Sequence, residues 1–248
     1  MKLFACINHV PDTTTKITIA ADKKSVDPTG VTFIINPYDE FAVEECLKLR
    51  EKYGGEVTVV SLGRDSHKET LRKALAMGAD KAVLLKSDDV RDTTAVAKGL
   101  AGFLKDQSPD IVFFGKQSVD GDASAVGQMV AEILGLPCIS VAVKLEVEGT
   151  VVKAEREIEG GHERVETNLP CVITAQKGLN EPRYPSLKGI MGAKKKPIEE
   201  IPAPAAESLS AIVEMIRPPQ KSAGKIVGTD ASAVPELVRL LHEEAKVI

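Results

Sequence analysis

Tryptophan is absent from this chain of 248 residues, and aromatic residues make up only 4% of it. A sequence so poor in flat side chains offers few platforms for unstacked bases, which argues against single-stranded nucleic acid as a ligand. A dominant charge is lacking as well: 32 Lys and Arg stand against 36 Asp and Glu, for a formal net charge of −4. No global field draws such a chain to nucleic acid or to a membrane surface. No stretch approaches the roughly 20 consecutive apolar residues of a membrane span. The opening MKLFACINHVPDTTTK reads as a first strand followed by a polar turn, not as a secretory signal. These absences predict a cytoplasmic protein with no nucleic-acid partner and no direct membrane insertion.

The sparse reactive residues exclude further classes. Cys6, Cys46, Cys138 and Cys171 lie far apart and form no CxxC, so they are expected to be buried free thiols. His9, His67, His162 and His242 show no metal-ligand spacing, and neither HExxH nor GxSxG occurs. His67 and His242 fall on polar helical stretches and are expected in solvent. No catalytic residue, no metal and no enzymatic activity are expected.

What the chain does have is a regular alternation of strand and helix signals over its first two-thirds. Lys2–Val10 reads as one buried strand, and residues 15–35 as a hairpin-like excursion. A helix opens after Asn36-Pro37-Tyr38, with Asp39 as its expected N-cap, and runs to about Tyr53 before Gly54-Gly55. Strands at Val57–Leu62, Ala82–Leu85 and Asp110–Gly115 then alternate with helices at Lys68–Met77, Thr94–Lys105 and about Asp122–Leu134. That order implies an α/β fold with a doubly wound, mainly parallel sheet covered on both faces. Beyond Pro137 three segments alternate apolar and polar residues, predicting an antiparallel extension, and Cys171–Ala175 is one more strand. From about Gly178 periodicity fades into a proline-rich tail with a weak helix near Leu209–Ile216 and a final amphipathic one near Val234–Ala245. Such a tail cannot bury a core of its own, so it reads as an arm that lies on a second subunit.

Ligands of a doubly wound sheet bind where strands end and helices begin. Four such ends stand out: after Cys6–Val10, at Asn36–Asp39, at Ser61-Leu62-Gly63 and at Gly115–Gly127. The last is the most informative. Gly115, Lys116, Gln117, Ser118, Val119, Asp120, Gly121, Asp122, Ala123, Ser124, Ala125 and Val126 carry a strand through small residues into a helix. Backbone N–H groups there approach an anion closely, and Ser124 adds a hydroxyl. It is neither a P-loop nor a GxGxxG fingerprint. The plain alternative is a strand–loop–helix turn capped by Asp122, with the two acids supporting the loop or bonding a ribose.

Taken together, several segments resemble the beta subunit of the electron transfer flavoprotein family over nearly the whole chain. They are Asn36–Asp39, Ala74–Asp80, Gly115-Lys116-Gln117 leading to Gly127-Gln128-Met129, Arg156–Gly161, Leu179–Tyr184, and Ile190-Met191 before Lys194–Lys196. The resemblance implies a sheet of the adenine nucleotide alpha hydrolase-like type over residues 1–178, a partner recognition loop over 179–197, and an arm over 198–248 that wraps an alpha subunit. It further implies FAD held mainly by that alpha subunit, and a structural AMP in a pocket formed by Cys6, Asn36, Pro37, Tyr38, Asp39, Leu62 and the Gly115–Val126 loop. Tyr38 matches an aromatic near the flavin ring. Leu187 would anchor dehydrogenase partners, with Arg183 and Tyr184 beside it. The implied role is to accept electrons from acyl-CoA dehydrogenases and pass them to a membrane quinone oxidoreductase. Two rivals remain: a bifurcating relative with a second FAD in place of AMP, and a stand-alone ATP-binding sensor resembling universal-stress-type proteins.

Overall fold

A nine-stranded sheet organises residues Met1–Val213 in a computed structural model of the protein, which describes residues 1–220 and 223–248. The elements in chain order are β1 (Lys2–Cys6), β2 (His9–Pro11), β3 (Phe33–Ile35), α1 (Pro37–Tyr53), β4 (Glu56–Gly63), α2 (His67–Met77), β5 (Lys81–Lys86), α3 (Thr93–Leu104), β6 (Ile111–Gly115) and α4 (Val126–Leu134). They continue with β7 (Cys138–Glu148), β8 (Val151–Ile158), β9 (Gly161–Asn168), β10 (Cys171–Ala175), α5 (Leu187–Lys195), β11 (Glu199–Pro202) and α6 (Val234–Arg239). The sheet runs β11-β5-β4-β1-β6-β10-β7-β8-β9, while β2 and β3 pair separately as an antiparallel ribbon. Every pairing from β11 to β7 is parallel, and β7-β8-β9 is an antiparallel extension.

Strand alternation divides the core into two layers. Leu3, Ala5, Val57, Val59, Phe113 and Ile173 face α1 and α2, packing on Val43, Cys46, Leu47 and Leu71. Their sequence neighbours Phe4, Cys6, Val60, Val112, Phe114 and Val172 face α3 and α4, against Ala97, Leu100, Leu104 and Val130. Burial on both faces explains why the central strands read as unbroken apolar runs. From β1 the chain steps outward to β4 and β5, then returns to the opposite side of β1 with β6. The strand order therefore reverses between β1 and β6, the place where such sheets bind ligands.

Several expectations are corrected. The Lys2–Val10 run is two strands, because the chain leaves the sheet after Cys6 so that His9–Pro11 can pair with β3. Helix α1 starts at Pro37 with Asn36 as its N-cap, and Asp39 lies inside the first turn with its carboxylate turned toward the sheet. Helix α4 starts at Val126, not Asp122: left-handed backbone at Asp122 (φ 48°) and Ser124 (φ 49°) keeps that stretch out of the helix. Residues Leu187–Lys195, expected as loop, form a helix whose N-cap Ser186 accepts from the Gly189 N–H.

The segment after 198 does not begin as a free arm. Glu199–Pro202 forms edge strand β11 on β5, too short and too close to prolines for the sequence pattern to reveal. The helix expected near Leu209–Ile216 is not formed. Instead the Asp92 carboxylate accepts the backbone N–H groups of Leu209 and Ser210, and the chain there forms no regular element. Residues Glu214–Ile248 are a separate unit. Within it, Asp230 caps a short 3-10 turn, α6 follows, and one π-turn over Leu240–Glu244 ends the regular structure. No helix among the described residues is long and apolar enough to cross a membrane.

Candidate functional site

At the point where strand order reverses, a cavity of about 250 Å³ opens between the tips of β1, β4 and β6 and the first turns of α3 and α4. Leu62, Val96, Leu100 and Phe114 give it an apolar wall, and Cys6 lies at the end of β1 beneath them. Lys116, Gln117, Ser118, Asp120 and Gly121 form another side, continued by Ala123, Ser124, Ala125 and Val126 where α4 begins. Asp39 and Gly115 meet at the base.

The tight base has a steric cause. A Cβ at position 115 would lie 2.4 Å from Asp39 Oδ1 and 2.6 Å from Tyr38 Cβ, so only glycine lets α1 approach the β6 tip this closely. Asp39 exploits the approach: its carboxylate accepts the Asn8 N–H at 2.7 Å and the Gly115 N–H at 3.0 Å, joining the ends of β1 and β6. Burial pushes this carboxyl up to about 7, against the opposing pull of the backbone donors and with a smaller upward push from Asp120. Burial also raises the Cys6 thiol far above its ordinary range, with Asp39 adding to it, so Cys6 is a protonated wall residue and no nucleophile.

Of the residues expected in the pocket, Asn36, Pro37, Tyr38, Val119 and Asp122 do not line it. Asn36 is buried behind it instead, where its amide donates to the Gln117 carbonyl (2.8 Å) and accepts from the Val119 N–H (3.1 Å). It shapes the loop without touching the cavity. Asp122 accepts from Gln117 Nε2 at 2.7 Å, and Ser124 donates to Gln117 Oε1 at 3.0 Å, so the loop is tied by its own side chains. Asn8 Nδ2 donates to Ser118 Oγ at 2.9 Å, and Ser118 in turn bonds Asp120. Tyr38 is half-buried, with Lys116 Nζ 5.0 Å from its ring centre.

Sequence reasoning missed the α3 side of the cavity. Arg91, Thr93, Val96 and Leu100 line it because α3 crosses from β5 back toward β6 and brings its first turns over the β1 and β4 tips. The signal was present in Arg91-Asp92-Thr93, since Asp92 is an N-cap accepting from the Ala95 N–H at 2.8 Å. Arg91 is held at the rim by bonds to Ser87 Oγ (3.1 Å) and the Pro204 carbonyl (2.9 Å).

The segment expected to meet partners presents Tyr184 and Leu187 at 95% and 83% exposure, with Met191 beside them at 69%. Arg183 does not face outward with them. Its guanidinium bonds both oxygens of the buried Glu44, at 2.8 and 2.9 Å, and also reaches Glu51. Asn180 adds bonds to the Phe41 carbonyl (3.0 Å) and Glu45 (2.8 Å). The loop is therefore clamped along α1, the same helix whose first turn carries Asp39.

The reactive residues differ in part from expectation. Cys6, Cys46 and Cys171 are buried, but Cys138 is exposed, since it opens β7 at the rim of the sheet. His67, expected in solvent, packs inward with Nδ1 2.8 Å from Ser61 Oγ. Burial lowers it to about 4, helped by His9 and Arg64.

Comparison with known proteins agrees with this architecture. The family described as "Electron transfer flavoprotein domain" matches residues 24–206. The chain is 44% identical to the electron transfer flavoprotein subunit beta of Bacillus subtilis (strain 168), with both chains covered in full. It is 40% identical to the subunit of that name from Bradyrhizobium diazoefficiens, again over the whole of both, and 38% to that from Mus musculus over 96% of each. With a matching domain over most of its length and relatives of this identity end to end, the chain belongs to the electron transfer flavoprotein beta-subunit family.

Proposed function

We propose that the chain works as the beta half of a heterodimeric cytoplasmic electron carrier, holding AMP as a structural ligand while an alpha subunit holds most of the FAD. The strand-tip cavity carries this reading. Its apolar wall of Leu62, Val96, Leu100 and Phe114 suits a purine. Ser118, Ser124, the cations of Arg91 and Lys116, and the N-terminus of α4 suit a phosphate. Its volume, about 250 Å³, lies just below the roughly 300–1,000 Å³ of small-molecule sites, which favours a mononucleotide over a second FAD.

FAD supplies the redox chemistry when bound, and this chain contributes one wall beside it, with Tyr38 as its aromatic. Electrons would enter from acyl-CoA dehydrogenases docking on the 179–197 segment and leave to a membrane quinone oxidoreductase. Leu187 is the docking anchor, since an apolar side chain this exposed at the start of a clamped helix has no intramolecular use. Residues 214–248 clasp the alpha subunit, their apolar Val234, Leu237 and Val238 being half-exposed in the chain itself. Extraction of the nucleotide from the natively purified complex tests the reading. One AMP per chain is expected. A second FAD retained by this chain, or a monomer that binds ATP without any flavin-bearing companion, overturns it.

A further inference from the structure

We propose that His9 and His67 form a proton-sensitive latch that holds the β2–β3 ribbon on α2 and, with it, one wall of the strand-tip cavity. The two imidazoles lie 5.0 Å apart between ring centres, His9 on β2 and His67 at the start of α2. His9 is 92% buried and stacks on Phe33 of β3, with ring centres 4.5 Å apart and planes 9° from parallel. Neither of its ring nitrogens has a hydrogen-bond partner. Across the contact, His67 sits directly over Gly63, where a Cβ would meet its Nε2 at 2.2 Å, and its Nδ1 is bound to Ser61 Oγ. Ser61 Oγ also donates to the Ile7 carbonyl at 2.8 Å, and Ile7 and Asn8 line the cavity. The pair therefore sits between a detachable ribbon and a working wall.

A buried imidazole without a partner is tolerated neutral and penalised as a cation, and at His67 the neighbouring His9 ring adds to the penalty. The surrounding charges do not rescue it. On α2, Glu69 favours the His9 cation while Lys73 opposes it, and Arg64 in the preceding turn opposes the His67 cation. Lys73 itself faces Glu40 on α1 and Asp12 after β2, and its Nζ donates to the Phe33 carbonyl at 2.8 Å. Burial depresses both histidines, so the opened ribbon binds more protons than the closed one. The latch is thus fully set above the ordinary imidazole value of 6.5 and weakens as pH falls below it. With His67 lowered to about 4, opening at pH 5 is favoured about 20-fold over pH 7.

Hydrogen exchange of the full chain in its native complex, corrected for intrinsic rates, tests this on peptides spanning residues 7–36. Wild type is expected to exchange there about 20-fold faster at pH 5 than at pH 7, with β5 unchanged. His67→Asn, which keeps an atom for Ser61, is expected to cut that ratio severalfold, and His9→Phe, which keeps the stack, to lower it by a smaller factor. Equal acceleration in wild type and both variants overturns the latch. So does a histidine NMR titration of wild type in which both imidazoles titrate at or above 6.5, a measurement that stands even if a variant fails to fold.

Discussion

Replacing Asp39 with Asn isolates one carboxylate that ties two strand tips together beneath the cavity. The native group accepts two backbone N–H bonds, from Asn8 and Gly115. An amide of the same shape accepts one and turns an N–H₂ toward the other, leaving a buried donor unsatisfied at a cost of about 1–3 kcal/mol. Against that, Asn removes a charge that burial disfavours. Because the folded carboxyl titrates at about 7 and its unfolded counterpart near 3.8, the native state binds the proton more tightly. Its stabilising contribution is complete below pH 3.8 and is lost as pH rises through about 7. The loss runs at most about 1.4 kcal/mol per pH unit between these two values and levels off above pH 7. Asp39→Asn lacks this titration, so the stability gap between wild type and variant is expected to shrink by up to about 1.4 kcal/mol per unit as pH rises from 4.5 to 7 and to stay constant above it. Urea unfolding of the native complex at a series of pH values between 4.5 and 8.5 measures both profiles. Parallel pH profiles for the two proteins, or a gap that widens with pH, would refute the idea that this carboxylate is buried and titrates near neutrality.

Gly115→Ala forces a Cβ onto Asp39 and Tyr38, and should destabilise by about 1–3 kcal/mol and strip bound nucleotide, read by phosphate analysis of the purified protein. Leu187→Ala is expected to weaken docking of a partner dehydrogenase about 10-fold or more while flavin content stays constant, read by KM for the dehydrogenase against absorbance. Loss of flavin with unchanged docking would contradict the assignment. Arg183→Met leaves Glu44 buried without its cation, costing up to about 3 kcal/mol after allowance for the partial exposure of the arginine. It should also weaken docking, because the clamp on α1 orients the segment that carries Leu187.

Much of the sheet could be read directly from the amino-acid order. The central strands advertise themselves as apolar runs between glycine-stopped helices, and Gly54, Gly78 and Gly135 each stand where a helix was expected to stop. What stayed hidden depends on contacts remote in sequence. Glu199–Pro202 is a strand only because β5 offers it an open edge more than a hundred residues earlier. Asp39 looked like an N-cap because its carboxylate has two candidate uses, and only the approach of Gly115 settles which one wins. The Asp92 cap marks where α3 begins, but only the crossover of α3 places Arg91 over the cavity. Likewise His67 has the neighbours of a surface residue in sequence, yet in space it is half-buried against Ser61 and His9.

Strand β11 has a consequence for the birth of the protein. Until residue 202 has left the ribosome, β5 carries a bare row of backbone donors and acceptors at the margin of an otherwise finished sheet. Such a margin is a template for any other extended chain nearby. Four late residues, two of them glutamates and the last a proline that cannot donate onward, seal it. A product cut short near residue 195 would keep almost all of its core and yet be prone to stick to its own kind.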